Sequence, residues 1–336
     1  MLSKEYTRKT LEKIITSTDY NIANNVEDLL KAASKFLHDL SGDVKFRDEY
    51  KATSKYYTSE NNLFKKVIQD YLAGNIIDAL NDLHGILVDS HTNKLRLRRD
   101  ILKRNTPLYR MRSQRGYKLY LRKEMFHIPT NKTQIVSNYR YSINGFPCLY
   151  LGASLYVCWE ETRRSDIDNV NYVKITPTKD LTFVATTCPD EFKNEDDVIQ
   201  FFVFALCTKM ADNDNDKFQF QYAFPELLLH LLINSMKKGD NAWGIKYVSA
   251  RYFEKDCQFS SEPFFYNYVI PKREPIDGID YLSNDLKAAF NVSNVKAFYV
   301  DRIYERIPLK ALTRPYEYAN THFRLLEDEL EAPTPL

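Results

Sequence analysis

The stretch YRYSINGFPCLYLGASLYVCWEE, running from Tyr139 to Glu161, decides how the chain is read. Gly145 and Pro147 punctuate a turn. Cys148-Leu149-Tyr150-Leu151 is a short apolar run with the look of a buried strand. Gly152-Ala153-Ser154 ends it. Ser154 suits the N-cap of a helix through Arg163, its Oγ placed to accept from the Val157 amide. Side chains alternate along a strand, so Tyr150 faces away from Leu149 and Leu151. Glu160 and Glu161 lie about two turns into the helix, where one of them can turn toward the sheet edge.

The same grammar runs through the chain from Pro107 onward. Short β-rich runs occur at Leu108–Met111, Cys148–Leu151, Tyr172–Ile175, Leu181–Thr186, Ile245–Val248, Phe264–Ile270 and Lys296–Val300. Two helices interleave with them. One covers about Val198–Met210 with Asn194 as its cap; the other covers about Pro225–Lys238, with Gly239 at C′. The strict βαβ rhythm of a doubly wound sheet is missing, so the expectation is an α+β domain with a mixed or antiparallel sheet.

Before Pro107 the pattern differs. All 13 prolines lie at or after it, which permits an all-helical segment. Ile22, Val26, Leu29, Leu30, Ala33, Phe36, Leu37 and Leu40 follow helical spacing, as do Leu63, Phe64, Val67, Ile68, Tyr71 and Leu72 after candidate caps Ser59 and Asn61. Ile76, Ile77, Leu80, Leu83 and Leu87 give a further helix. The expected organisation is a helical bundle over 1–105, a sheet domain over 106–326, and an acidic, then proline-rich tail over 327–336 that frays.

With 336 residues, 44% of them hydrophobic, the chain has length for a substantial core. Lys+Arg 47 against Asp+Glu 45 leaves a formal charge of +2, which argues against nucleic acid or a membrane surface as the main partner. The run Lys94–Arg104 is locally basic and reads as a solvated helix face joining two domains. Cys148, Cys158, Cys188, Cys207 and Cys257 are odd in number and lack C-x-x-C spacing, so a disulfide framework and a zinc cluster are not expected. Charges in MLSKEYTRKTLEK stand where a signal peptide needs an apolar run, and no stretch approaches the ~18 apolar residues of a membrane helix. A cytoplasmic protein is expected. Phosphate loops, G-x-G-x-x-G, H-E-x-x-H and G-x-S-x-G are all absent from the sequence.

The quoted segment resembles the core of the RES domain, found in bacterial toxins of toxin–antitoxin pairs. That family has an Arg on a loop, then a Gly and a Pro, a Tyr ending a strand, and a Glu in the following helix. Arg140, Gly145, Pro147, Tyr150 and Glu161 match the spacing, with Ser154 at the matching turn. Tyr109-Arg110 in PLYRMR resembles the family's opening Tyr-Arg. Gly244-Ile245-Lys246-Tyr247-Val248-Ser249 resembles the motif that supplies its Ser, and Asn267-Tyr268-Val269-Ile270-Pro271 its closing Asn motif. The resemblance spans about residues 107–275. The chain departs from it at Tyr139-Arg140-Tyr141-Ser142, where the family commonly has Gly-Arg followed by Trp-Asn. The acid is also doubled: spacing favours Glu161, with Glu160 as the alternative. The helical N-terminal segment resembles HEPN-type domains but lacks their closely spaced Arg and His, so it reads as non-catalytic. The pair with such spacing, Arg122 and His127, lies beyond the bundle, and His127 reads as structural.

RES domains resemble ADP-ribosyltransferases and consume NAD, so the resemblance implies NAD as substrate, with no bound cofactor and no metal. Parting nicotinamide from ribose develops positive charge on the sugar, as in glycosyl transfer. A carboxylate fixed beside the sugar stabilises that charge, and Glu161 is the candidate. Tyr150 can pack against the nicotinamide cation. Arg110 and Arg140 can grip pyrophosphate through a planar fork. Tyr109 belongs to the same opening motif, while Ser249 and Asn267 offer neutral hydrogen bonds. Taken alone, each has a plainer role: Tyr150 in a core strand, Glu161 on a helix surface, Arg140 in a salt bridge, Ser249 at a strand end. Their joint order outweighs these.

The resemblance further implies a protein antitoxin as partner. For the N-terminal bundle three tasks stay open: sensing a trigger, forming a homo-oligomer or holding that partner. The alternative function is a nucleic-acid-binding or RNA-cleaving protein acting through the helical N-terminal half and the Lys94–Arg104 run. It would bind with steep salt dependence.

Overall fold

The computed structural model of the protein describes residues 63–113, 118–189, 194–208, 220–249, 265–276, 278–297, 318 and 322–336. The helix expected over 22–40, the caps Ser59 and Asn61, and Cys257 lie outside these. In chain order the helices are α1 (Leu63–Leu72), α2 (Ile76–Leu87), α3 (Leu155–Glu161), α4 (Glu195–Thr208), α5 (Ala223–Lys237), α6 (Asn284–Ala289) and α7 (His322–Asp328). The strands are β1 (Arg99–Leu102), β2 (Leu108–Ser113), β3 (Cys148–Gly152), β4 (Val170–Pro177), β5 (Leu181–Ala185), β6 (Ala242–Val248), β7 (Tyr266–Pro271), β8 (Phe290–Val292), β9 (Lys296–Ala297) and β10 (Thr334–Pro335). Helices beside a large sheet make the fold α+β. Among the described residues no helix is long and apolar enough to cross a membrane.

Two compact units share the chain without following its order. Of the described residues, the first takes those up to Arg99 and those within Asn138–Ile143 and Val184–Ala242; the second takes those within Asp100–Ser137, Asn144–Phe183 and Trp243–Leu336.

In the first unit, α4 is buried along Asp197–Thr208, as befits a helix that is apolar nearly all round. Its start is a reciprocal box: Asn194 Oδ1 accepts from the Asp197 amide at 3.1 Å, and Asp197 Oδ2 accepts from the Asn194 amide at 3.3 Å. The Phe64 ring of α1 lies 5.4 Å from Phe202 and 5.8 Å from Phe224. Gly239, with φ of 100°, follows the Lys238 cap of α5 and supplies the left-handed residue expected there.

The Lys94–Arg104 run is not the expected helix face. It is extended, with β1 inside it. Three of its arginines are taken up by acids remote in sequence. Arg96 pairs with Asp196 at 2.6 Å, Arg98 with Asp197 at 2.9 Å, and Arg99 grips both oxygens of buried Asp240 at 2.6 and 2.7 Å. Local periodicity carries no information about such partners, which explains the misreading.

The second unit carries most of the sheet, whose order is β1-β5-β6-β7-β3-β2-β4-β8-β10, with β9 also on β4. From β6 through β7, β3, β2, β4 and β8 to β10 the neighbours are antiparallel. Alternation sorts its side chains onto two faces. Leu108, Leu149, Leu151, Val173, Ile175, Tyr268 and Ile270 join one apolar cluster with α6. Tyr109, Met111, Val170 and Tyr172 join the other, beneath α3 and α7.

The terminal segment does not fray as expected. Phe323, Leu326 and Leu330 recur at i, i+3 and i+7, and all three are buried against α3. Thr334 and Pro335 pair with Val292 and Asn291. Arg122 fastens this edge, donating to the carbonyls of Val292 at 2.6 Å and Thr334 at 2.7 Å. The acidic residues that suggested solvation divide: Asp328, Glu329 and Glu331 are exposed, whereas Glu327 is buried.

Candidate functional site

Three adjacent strands lay out a small grid on the α3 face of the sheet. One row is Gly152 of β3, Asn267 of β7 and Tyr247 of β6; the next is Tyr150, Val269 and Ile245. Directly opposed residues of antiparallel strands project to the same side, so Tyr150 is a diagonal neighbour of Asn267. Tyr150 and Tyr247 are half-buried. Close approach of the strands needs a glycine on β6: a Cβ on Gly244 would stand 2.1 Å from the Val269 carbonyl oxygen.

Helix α3 is set onto this grid by two features of the sequence. Ser154 caps it, accepting from the Val157 amide at 3.0 Å as expected. Gly152 lets it sit low, since a Cβ there would meet Val157 Cγ1 at 2.6 Å and Cys158 Sγ at 2.7 Å. The helix stops at Glu161, short of the expected Arg163. Arg163 and Arg164 both take positive φ, 61° and 52°, which turns the chain sharply away.

At that end Glu161 Oε1 accepts from Ser249 Oγ at 2.7 Å and from Asn267 Nδ2 at 2.6 Å. Ser249 is 0% exposed and Asn267 4%, whereas Glu161 is exposed. Two buried neutral donors therefore fix one oxygen of a solvent-facing carboxylate. Among the described residues Oε2 accepts no hydrogen bond and no lysine or arginine pairs with Glu161. Such an acid is oriented while its negative charge stays available to a ligand.

Glu160 does something else. It is 1% exposed and its Oε2 accepts from Arg164 Nε at 3.0 Å, an i,i+4 pair that braces the turn after α3. Successive helix residues point about 100° apart, so only one of the two acids can reach the grid.

Tyr109 is buried on the α3 face, and burial together with the Glu327 carboxylate pushes its phenol above the usual range. Arg110 alternates to the Leu108 side of β2, opposite to Tyr150 and Asn267. There it is one of the cations that depress the buried His127. Arg140 belongs to the first unit, where its guanidinium donates to the Cys207 carbonyl near the end of α4. Buried Cys158 donates to the Tyr109 carbonyl at 3.3 Å, and burial pushes its thiol up to about 12, so it is no nucleophile near neutrality. Among the described residues no three His, Cys, Asp or Glu side chains group as metal ligands.

Sequence reasoning missed Glu327. Its signal was the apolar stripe of Phe323, Leu326 and Leu330, which places residue 327 on a docked helix instead of a loose tail.

Comparison with known proteins gives one distant relative. The chain is 29% identical over 189 residues to "Putative toxin YopC" of Bacillus subtilis (strain 168), an alignment covering 50% of this chain and 41% of the relative. The chain thus spans well under two thirds of that protein's length. No protein-family model and no solved structure matches the chain.

Proposed function

We propose that this protein is a toxin that consumes NAD, breaking the nicotinamide–ribose bond and passing ADP-ribose to water, phosphate or a macromolecule. One observation carries the reading: Glu161, Ser249 and Asn267, remote in sequence, meet within hydrogen-bond distance at the end of α3. These are the Glu, Ser and Asn positions of the RES resemblance. The relative named as a toxin supports the same role.

In this reading Glu161 accepts from a ribose hydroxyl and stabilises the cation that develops as nicotinamide leaves. Ser249 and Asn267 hold its carboxylate in place before substrate arrives, so little reorganisation accompanies bond breaking. Tyr150, beside Asn267 on the same face, offers its ring to the nicotinamide. The resemblance gives the pyrophosphate to Arg110 and Arg140, but the geometry within the second unit supports only the Glu161 group and Tyr150. A protein antitoxin would restrain the activity in the cell.

The test is mass-spectrometric detection of nicotinamide and of the ADP-ribose product from purified protein and NAD, with and without phosphate and cell extract. Glu161→Gln should lower the rate about 100-fold or more, roughly 3 kcal/mol, with an unchanged melting temperature. A folded native chain that leaves NAD intact in every mixture, or a Glu161→Gln variant of native activity, defeats the reading.

A further inference from the structure

Glu327 of α7 is 2% exposed, yet it is a carboxylate inside an apolar cluster. Its Oε1 accepts from Tyr318 Oη at 2.6 Å and from the Leu155 amide at 2.7 Å, and its Oε2 faces Arg324 Nη1 at 3.4 Å. Leu155 is the first residue of α3, the helix whose last residue is Glu161. The same short helix is therefore held at one end by a buried acid and at the other through Glu161 by Ser249 and Asn267. Aromatic contacts brace the arrangement: Phe323 of α7 lies 5.4 Å from Tyr156 and 5.5 Å from Trp159, both on α3. A buried carboxylate carries a desolvation penalty that an apolar side chain would avoid, and burial pushes Glu327 above the usual carboxylate range. Packing alone does not call for an acid there, whereas fixing the axial position of a seven-residue helix does.

We propose that Glu327 is a positioning residue for Glu161: by holding the first amide of α3 it sets how far along its axis the helix lies, and so whether Glu161 reaches its two donors. The inference rests on the reading of Glu161 as the carboxylate of NAD cleavage, and adds a second acid, 166 positions away in sequence, to the same machinery. Glu327 touches no substrate. It acts through the rigid helix between it and Glu161, where a shift of about 1 Å in a reacting group is enough to lower the rate by orders of magnitude.

The experiment compares the full chain with Glu327→Ala, Glu327→Gln and Glu327→Asp, by steady-state nicotinamide release and by crystal structures. Glu327→Ala should lower kcat about 10-fold or more with KM within about twofold, and its structure should show Glu161 Oε1 withdrawn from Ser249 and Asn267. Glu327→Gln keeps an oxygen acceptor for Tyr318 and Leu155 and should stay within about threefold of the native kcat. An alanine variant that retains both the Glu161 hydrogen bonds and kcat overturns the proposal, as does a glutamine variant no better than alanine. If the alanine variant does not fold, Glu327→Asp, with its charge on a shorter side chain, should show a smaller fall confined to kcat, and native values there overturn it too. A native chain inert toward NAD removes the NAD reading alone, because the position of Glu161 in the variant structures still decides whether Glu327 sets it.

Discussion

His127 is locked by its two ring nitrogens. Nδ1 lies 2.8 Å from the Ile128 carbonyl, to which it donates, and Nε2 accepts from the Ser283 amide at 2.9 Å. The ring is 1% exposed, and burial pushes its pKa down to about 4. Protonating Nε2 would set its N–H against the Ser283 amide, donor against donor, in a buried site. Because the folded value lies below the unfolded value of about 6.5, the unfolded chain takes up the proton first. The stabilisation is complete above about pH 6.5, drains away as pH falls toward 4, and has no further to fall below that. Its full size is on the order of 3 kcal/mol. Urea midpoints of the native chain and of His127→Gln, measured from pH 7.5 to 4, should converge as pH falls. Parallel curves would show that the ring is not held neutral. The same residue shows how a single histidine is read: in the sequence it stands five places from Arg122, but the fold spends it on bridging two loops.

At the scale of elements, the seating of α3 is the most sensitive feature. Gly152 has no left-handed backbone to justify it; its value is the missing methyl group, whose space Val157 and Cys158 occupy. Both neighbours are fully embedded, so neither can swing aside as a flexible surface chain would. Gly152→Ala should therefore destabilise the protein by about 1–3 kcal/mol and lift α3 enough to lower the proposed NAD turnover by more than the stability loss explains. Chemical denaturation together with turnover of the folded fraction checks this, and a variant native in both would mean that the helix is loosely seated. Much of this region was legible beforehand. The Ser154 cap, the β3 run and the turn at Gly145 are written in local chemistry, and each appears where the sequence places it. The helix end was not legible, because Arg163 and Arg164 carry no signal for positive φ, and the chain is held there by Glu160 and backbone contacts formed only in the fold.

Across the whole molecule the limit of sequence reading is partnership over distance. Ser249 and Asn267 are candidates only through the family resemblance; the antiparallel pairing of β6 with β7, and its register, is what brings both to the α3 face. Arg110 could not be assigned a face without knowing which cluster Leu108 joins. The basic run at 94–104 failed for the same reason: a count of cations reports surplus charge only if no acids arrive from elsewhere. Here Asp180, Asp196, Asp197 and Asp240 all arrive, reaching Lys103, Arg96, Arg98 and Arg99. Arginines already engaged by carboxylates must break those pairs before they can neutralise phosphates, and each such exchange cancels much of the gain from counterion release. With a net charge of only +2 there is little long-range attraction to compensate. Binding of a fluorescent single-stranded RNA through this run should therefore be weak, with affinity nearly flat between about 50 and 200 mM salt. Replacing Arg96, Arg98 and Arg99 together by Gln should reduce stability while leaving what RNA binding there is unchanged. A steep salt slope that the triple variant abolishes would reverse the conclusion and return the run to the phosphate-binding role that its composition alone advertises.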